Sequence, residues 1–117
     1  MRDHRKLKVF AEADGFALAV YRATAAFPKH ELFGLTAQMR RAAVSIVSNI
    51  VEGCSRKSQA DYLRFMEIAY GSAVEAEYQL SLALRLGYLP AGARDPLSDS
   101  ANKTARMLNA LLGAYAP

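Results

Sequence analysis

An all-α, antiparallel up-down-up-down four-helix bundle is the fold this 117-residue sequence predicts. Three observations carry that expectation. Residues 32–53, LFGLTAQMRRAAVSIVSNIVEG, form a helical stretch that is apolar on two sides. Residues 62–83 carry a strict seven-residue repeat of apolar positions. The proline and glycine positions divide the chain into four amphipathic segments joined by short connections, the pattern of a bundle.

The first helix is expected over about 9–25. Phe10, Ala13, Ala17, Val20, Tyr21 and Thr24 recur at three- and four-residue steps. Gly15 weakens it by about 1 kcal/mol relative to alanine. Phe27-Pro28 ends it, because proline pushes the preceding residue out of the helical region. In the connection PKHELFG, Leu32 and Phe33 are expected to pack inward.

The second helix is expected over about 35–52. Leu35, Met39, Ala42, Ala43, Ile46 and Ile50 form its core stripe. Val44, Val47 and Val51 form a second stripe, rotated about the same axis. The outer helix of a small monomer needs one stripe, so the second is a candidate subunit interface. Gly53 is read as the left-handed residue that closes this helix.

The third helix opens at Ser58 with Asp61 three residues on, a variant of the capping box. Tyr62, Met66, Ala69, Ala73, Ala76, Leu80 and Ala83 follow at alternating steps of four and three, a coiled-coil-like seam. Its alanines allow close approach of the facing helix. Gly87 ends it, and GYLPAGAR is read as the longest loop. The fourth helix is expected to start at Asp95-Pro96, with aspartate as N-cap and proline at the first helical position. Leu97, Ala101, Thr104, Leu108, Leu111, Leu112 and Tyr115 line its apolar face.

Hydrophobic residues make up 52% of the chain and charged residues 22%, ordinary for a globular protein. No apolar run reaches the roughly 18 residues of a membrane span. The basic N-terminus lacks the apolar segment of a secretory signal, and the single Cys54 forms no internal disulfide, so a cytoplasmic protein is expected. The formal net charge is +4. A basic arm, residues 1–8, holds Arg2, Arg5, Lys6 and Lys8 against Asp3, ahead of a bundle domain at 9–117. Such an arm either contacts nucleic-acid phosphates or is a solvated terminus.

No catalytic, cofactor or metal site is read from the residues. Neither His4 nor His30 stands in the Glu-x-x-His pattern of a di-iron bundle. No phosphate-binding glycine loop occurs, and a thiol at a helix C-terminus is not activated by the dipole. Arg41, Asn49, Glu52, Glu67 and Glu75 read as a buried polar network between the two central helices, with acid–base work as the competing reading. Arg40, Arg41, Arg56, Lys57 and Arg64 read as a basic patch around one end of the bundle. With Arg5, Lys6 and Lys8 they are the candidate RNA or DNA contacts, intersubunit ion pairing being the alternative. Tyr62, Phe65 and Tyr70 read as core or interface rather than as a base-stacking platform. The expected protein is a non-enzymatic homo-oligomer that binds RNA or DNA, or else a protein-interaction scaffold.

Several motifs also carry a family resemblance. They are FP–E–FGL (Phe27, Pro28, Glu31, Phe33 to Leu35), the run Gln38, Arg40 to Ile46, and the close Ser48, Asn49, Ile50, Glu52, Gly53. Ala69, Gly71, Ser72, Glu75, Glu77 and the late Leu86 to Leu89 complete the set. Across residues 7–112 the chain resembles the four-helix-bundle proteins encoded within intervening sequences of bacterial 23S ribosomal RNA genes. That resemblance implies a bundle assembling as a ring, a pentamer, with no established biochemical activity. A related branch serves diversity-generating retroelements as an accessory protein that binds the reverse transcriptase and nucleic acid. Those relatives are more basic than this chain. Phe10 stands where the family usually has Trp, and Val47 where it usually has Pro, which predicts a straighter second helix. Gly15 is a further departure.

Overall fold

The computed structural model describes residues 1–117, excepting the side chains of Ala91, Ala93, Arg94 and Asp95. Its helices are α1 (Lys8–Thr24), α2 (Leu35–Cys54), α3 (Gln59–Arg85) and α4 (Ala91–Gly113), with no strand among the described residues. Short 3-10 turns occupy His4–Lys6 and Lys29–Glu31. The four helices pack as a bundle measuring 43 × 23 × 21 Å, α1 and α3 each lying against both α2 and α4.

The core follows the apolar spacing closely in three helices. All seven seam positions of α3 are buried, as are Met39, Ala42, Ala43, Ile46 and Ile50 of α2. Leu97, Ala101, Thr104 and Leu108 of α4 are buried too. Thr104 enters the core because its hydroxyl donates back to the Ser100 carbonyl at 2.8 Å. In α1 the buried face is Val9, Ala13, Phe16, Val20 and Thr24. Tyr21 lies outside it, exposed, with the Arg40 guanidinium 4.7 Å from its ring centre. Each large aliphatic or aromatic core side chain contributes roughly 1.5–3 kcal/mol by leaving water.

Gly53 has a different role from the one its position suggests. It is helical, buried, one residue before the end of α2. A Cβ there would stand 2.7 Å from the Met66 methyl and 2.9 Å from the Phe65 Cβ. The constraint is therefore contact with α3, not a left-handed turn. Among the described residues, the glycine that does take a positive φ, 75°, is Gly87, which closes α3. Ser58 caps α3 as expected, accepting from the Asp61 N–H at 3.1 Å.

Helix α4 begins at Ala91, with Pro90 as N-cap and Pro96 inside the helix. The connection after α3 is thus shorter than GYLPAGAR implies, and the longest connection is the one at 25–34. Pro96 removes the N–H that the Gly92 carbonyl would accept, and Gly92 is exposed, so water is available to it. The proposed Asp95 cap lies outside the described residues.

Leu32 and Phe33 do not pack inward. They are 51% and 93% exposed. Phe27 fills that end of the core instead, its ring 5.3 Å from that of Tyr88. Glu31 then turns back over α2. Its carboxylate accepts from the Leu35 N–H at 3.0 Å and from the Tyr88 hydroxyl at 2.9 Å. It serves as a cap at a helix N-terminus that has no capping side chain at Gly34. Gly34 permits this, since a Cβ there would lie 2.6 Å from the Glu31 carboxylate.

Two predictions follow from this packing. Gly53→Ala should destabilise the fold by about 1–3 kcal/mol through overpacking against α3, measured by denaturant unfolding. The second concerns acid. The Leu35 N–H and then Tyr88 hold the Glu31 carboxyl below the usual 4.5. The Ser100 hydroxyl, which donates at 2.7 Å, and Lys103 do the same for Glu12. A carboxyl depressed in the folded state stabilises it above the unfolded value, and the effect fades as pH falls through the folded value. Thermal unfolding of the wild type should therefore lose stability below about pH 4.5, and E12Q/E31Q should show a shallower acid slope.

Candidate functional site

The N-terminal arm is anchored rather than splayed into solvent. The Arg2 N–H donates to the Cys54 carbonyl at 2.8 Å, satisfying a group at the end of α2. The Arg2 guanidinium lies 3.7 Å from the Tyr62 ring centre and donates to the Tyr115 hydroxyl at 3.3 Å. Arg2 thus ties the arm, the α2–α3 connection and the end of α4 into one surface. Cys54 and Tyr62 beneath it are each 1% exposed, and burial raises both above their ordinary pKa. Cys54 is a shielded thiol, not an activated one.

This anchoring concentrates charge. Residues 1–8 hold four basic and one acidic side chain, and residues 52–64 hold three basic and two acidic. Together these segments account for the whole formal +4 of the chain, leaving the remainder balanced. Within the cluster Arg5 pairs with Asp3 at 2.9 Å, Arg64 with Asp61 at 3.9 Å, and Arg56 with Glu52. The guanidinium groups of Arg56 and Arg64 flank the Phe65 ring at 4.9 and 4.6 Å. Lys6, Lys8 and Lys57 are exposed. Exposed pairs of this kind contribute only about 0–1 kcal/mol each, so the arginines can exchange carboxylates for phosphates at little cost.

Arg40 and Arg41 do not join this cluster. Thirteen residues of α2 follow Arg41 before the helix ends at Cys54, about 20 Å at 1.5 Å per residue, and Arg56 lies beyond that end. Arg40 donates to the Thr24 hydroxyl at 2.8 Å, at the end of α1. Arg41 is exposed nearby. Sequence proximity to a charged run misled here because a helix is long in one direction.

The polar network is not buried within the chain. Arg41, Glu52, Glu67 and Glu75 are exposed, since the alanine seam turns them outward, and Asn49 is half-buried. The polar contact at the α2–α3 interface is smaller. Ser45 and Ser72 share a hydrogen bond of 2.9 Å, and the Asn49 amide donates to the Ser45 carbonyl at 2.8 Å. The second α2 stripe reaches the surface: Val44 is 40% exposed, Val47 and Val51 half-buried. Of the three aromatics considered for stacking, Tyr62 is core, Phe65 is flanked by arginines and Tyr70 packs against the core.

The roles of Arg2 and Tyr115 were not legible in sequence, because 113 residues separate them and no spacing rule links them. Arg2→Ala should cost about 1 kcal/mol through the lost cation–π contact, read by denaturant unfolding.

A family model described as 23S rRNA-intervening sequence protein matches residues 5–110. No curated protein matches the chain. Among solved structures, a Bacteroides thetaiotaomicron VPI-5482 protein of unknown function from the S23 ribosomal protein family is similar. It is 24% identical with a TM-score of 0.81, over 90% of this chain and 95% of that one, a likeness of fold. Among the described residues, no helix is long and apolar enough to cross a membrane. With the family model spanning nearly all of the bundle, the chain belongs to the 23S rRNA-intervening sequence protein family.

Proposed function

We propose that this protein is a homo-oligomeric, non-enzymatic bundle that binds RNA or DNA through one basic end. The observation that carries the reading is the gathering of the entire formal +4 onto the arm and residues 52–64, which span the α2–α3 connection. Arg5, Lys6, Lys8, Arg56, Lys57 and Arg64 supply the phosphate contacts. Their charges attract a polyanion without reading its sequence, because phosphate contacts position a nucleic acid while base contacts specify it. Arg40 and Arg41 serve a separate surface.

Assembly supports the same function. A ring of copies repeats the basic end and multiplies weak contacts into useful affinity. The half-exposed valine stripe of α2 supports assembly. The Ser45–Ser72 and Gly53–Met66 contacts support the antiparallel, up-down-up-down order of the central helices. A cytoplasmic location accords with a buried, reduced Cys54.

Fluorescence binding to single- and double-stranded RNA and DNA over a salt series tests the proposal. Affinity should fall linearly on a log–log plot against salt. The K6E/K57E variant should bind more weakly and flatten that slope by about two contacts. Absence of binding to any of these at low salt overturns the reading and favours a protein-interaction scaffold.

A further inference from the structure

The basic end also holds aromatic surface that the core does not absorb. Phe65 stands on α3 between the fully buried Tyr62 and Met66, yet it is only half-buried and stays outside the core cluster. Its Cβ lies 2.9 Å from where a Cβ on Gly53 would stand, so the ring is seated at the α2–α3 connection. Its cover is charged. The Arg64 and Arg56 guanidinium groups lie over the ring at 4.6 and 4.9 Å. Arg64 is exposed, and its ion pair with Asp61 is long, at 3.9 Å. Tyr115 is 39% exposed at the same end, its ring 6.2 Å from that of Tyr62. Tyr62 in turn stands about one helical turn before Phe65.

Phosphate contact by itself does not call for these rings. A lysine meets a phosphate as a point charge and needs no aromatic beneath it. An arginine over a phenyl ring adds planar surface, because guanidinium groups stack on aromatic faces and on bases. A base within a duplex has its faces covered by its neighbours, so an unpaired base is the one that can use such a surface. Cations along the backbone with aromatic faces for the bases is the arrangement of single-strand binders. Tyr21 with Arg40 and Tyr78 with Arg85 are comparable pairs, but they lie outside the charge cluster, and Arg40 is engaged by Thr24.

We propose that Arg64, Phe65 and Arg56 form a base-stacking site for single-stranded nucleic acid. One unpaired base lies on this stack, and the exposed Lys57, next to Arg56, holds an adjoining phosphate. The inference rests on the nucleic-acid reading above and names its strand type and the residues that select it. Single strands of RNA and DNA share the chemistry. Selection is for an unpaired strand rather than for a base identity, since every base has a π-face.

Fluorescence anisotropy of the full chain with labelled probes of equal length tests this. The probes are oligothymidylate, oligouridylate, an abasic deoxyribose-phosphate strand and a mixed-sequence duplex. The abasic strand keeps the phosphates and lacks the bases. The wild type should bind oligothymidylate and oligouridylate on the order of tenfold more tightly than the abasic strand at equal salt. Phe65→Leu and Arg64→Lys should each bring oligothymidylate down to the abasic affinity without changing the salt slope, because neither removes a charge. Phe65→Leu should leave duplex affinity unchanged. Circular dichroism checks folding. If Phe65→Leu loses helicity, Arg64→Lys, an exposed substitution, reads the same stack. Equal wild-type affinity for oligothymidylate and the abasic strand overturns the stack alone, as does oligothymidylate binding that both variants leave unmoved. A duplex weakened by Phe65→Leu as much as oligothymidylate overturns the strand selectivity. No binding of any probe at low salt overturns both this site and the nucleic-acid reading.

Discussion

Close approach of α2 to α3 is the constraint on which the rest of this bundle depends. Ala69, Ala73, Ala76 and Ala83 on one side, with Ala42, Ala43 and Gly53 on the other, leave space for little more than backbone and methyl groups. The larger core residues, Ile46, Ile50, Met66 and Leu80, fill the space between these small positions. Arg41, Glu52, Glu67 and Glu75 of the central helices face outward, while Gln79 of α3 is buried. The polar contact that survives there uses the short hydroxyls of Ser45 and Ser72.

Turning those residues outward produces the molecule's surface character. The basic end arises from the arm, the α2–α3 connection and the start of α3, held together by Arg2 on the Cys54 carbonyl and the Tyr62 ring. About 20 Å back along α2 from its end, Arg40 and Arg41 border an apolar pocket instead. The basic cluster and the apolar pocket therefore draw on different side chains.

The FP–E–FGL motif illustrates how a legible pattern differs from a legible role. Its residues stand out in the sequence, and the helix start at Leu35 is where spacing places it. The roles within it depend on Tyr88, more than fifty residues away, which accepts Phe27 as a packing partner and donates to Glu31. With Phe27 occupying the core, Phe33 is left in solvent. Hydrophobicity alone predicted burial for Phe33.

The sequence by itself determined the four helices, the α3 seam, the Ser58 cap, the Gly87 stop and the family, because these depend on local periodicity and local backbone chemistry. Residue spacing within one helix says which side chains share a face, and the heptad of α3 says which face is buried. Only the tertiary structure decided that Gly53 is a contact residue, that Arg2 docks on Tyr62 and Tyr115, and that Arg40 and Arg41 lie far from Arg56. Each of these is a relation between elements, set by how helices dock and how far along their axes each side chain sits. Such relations carry no signature at a fixed sequence spacing, so they become visible only once the four helices are packed.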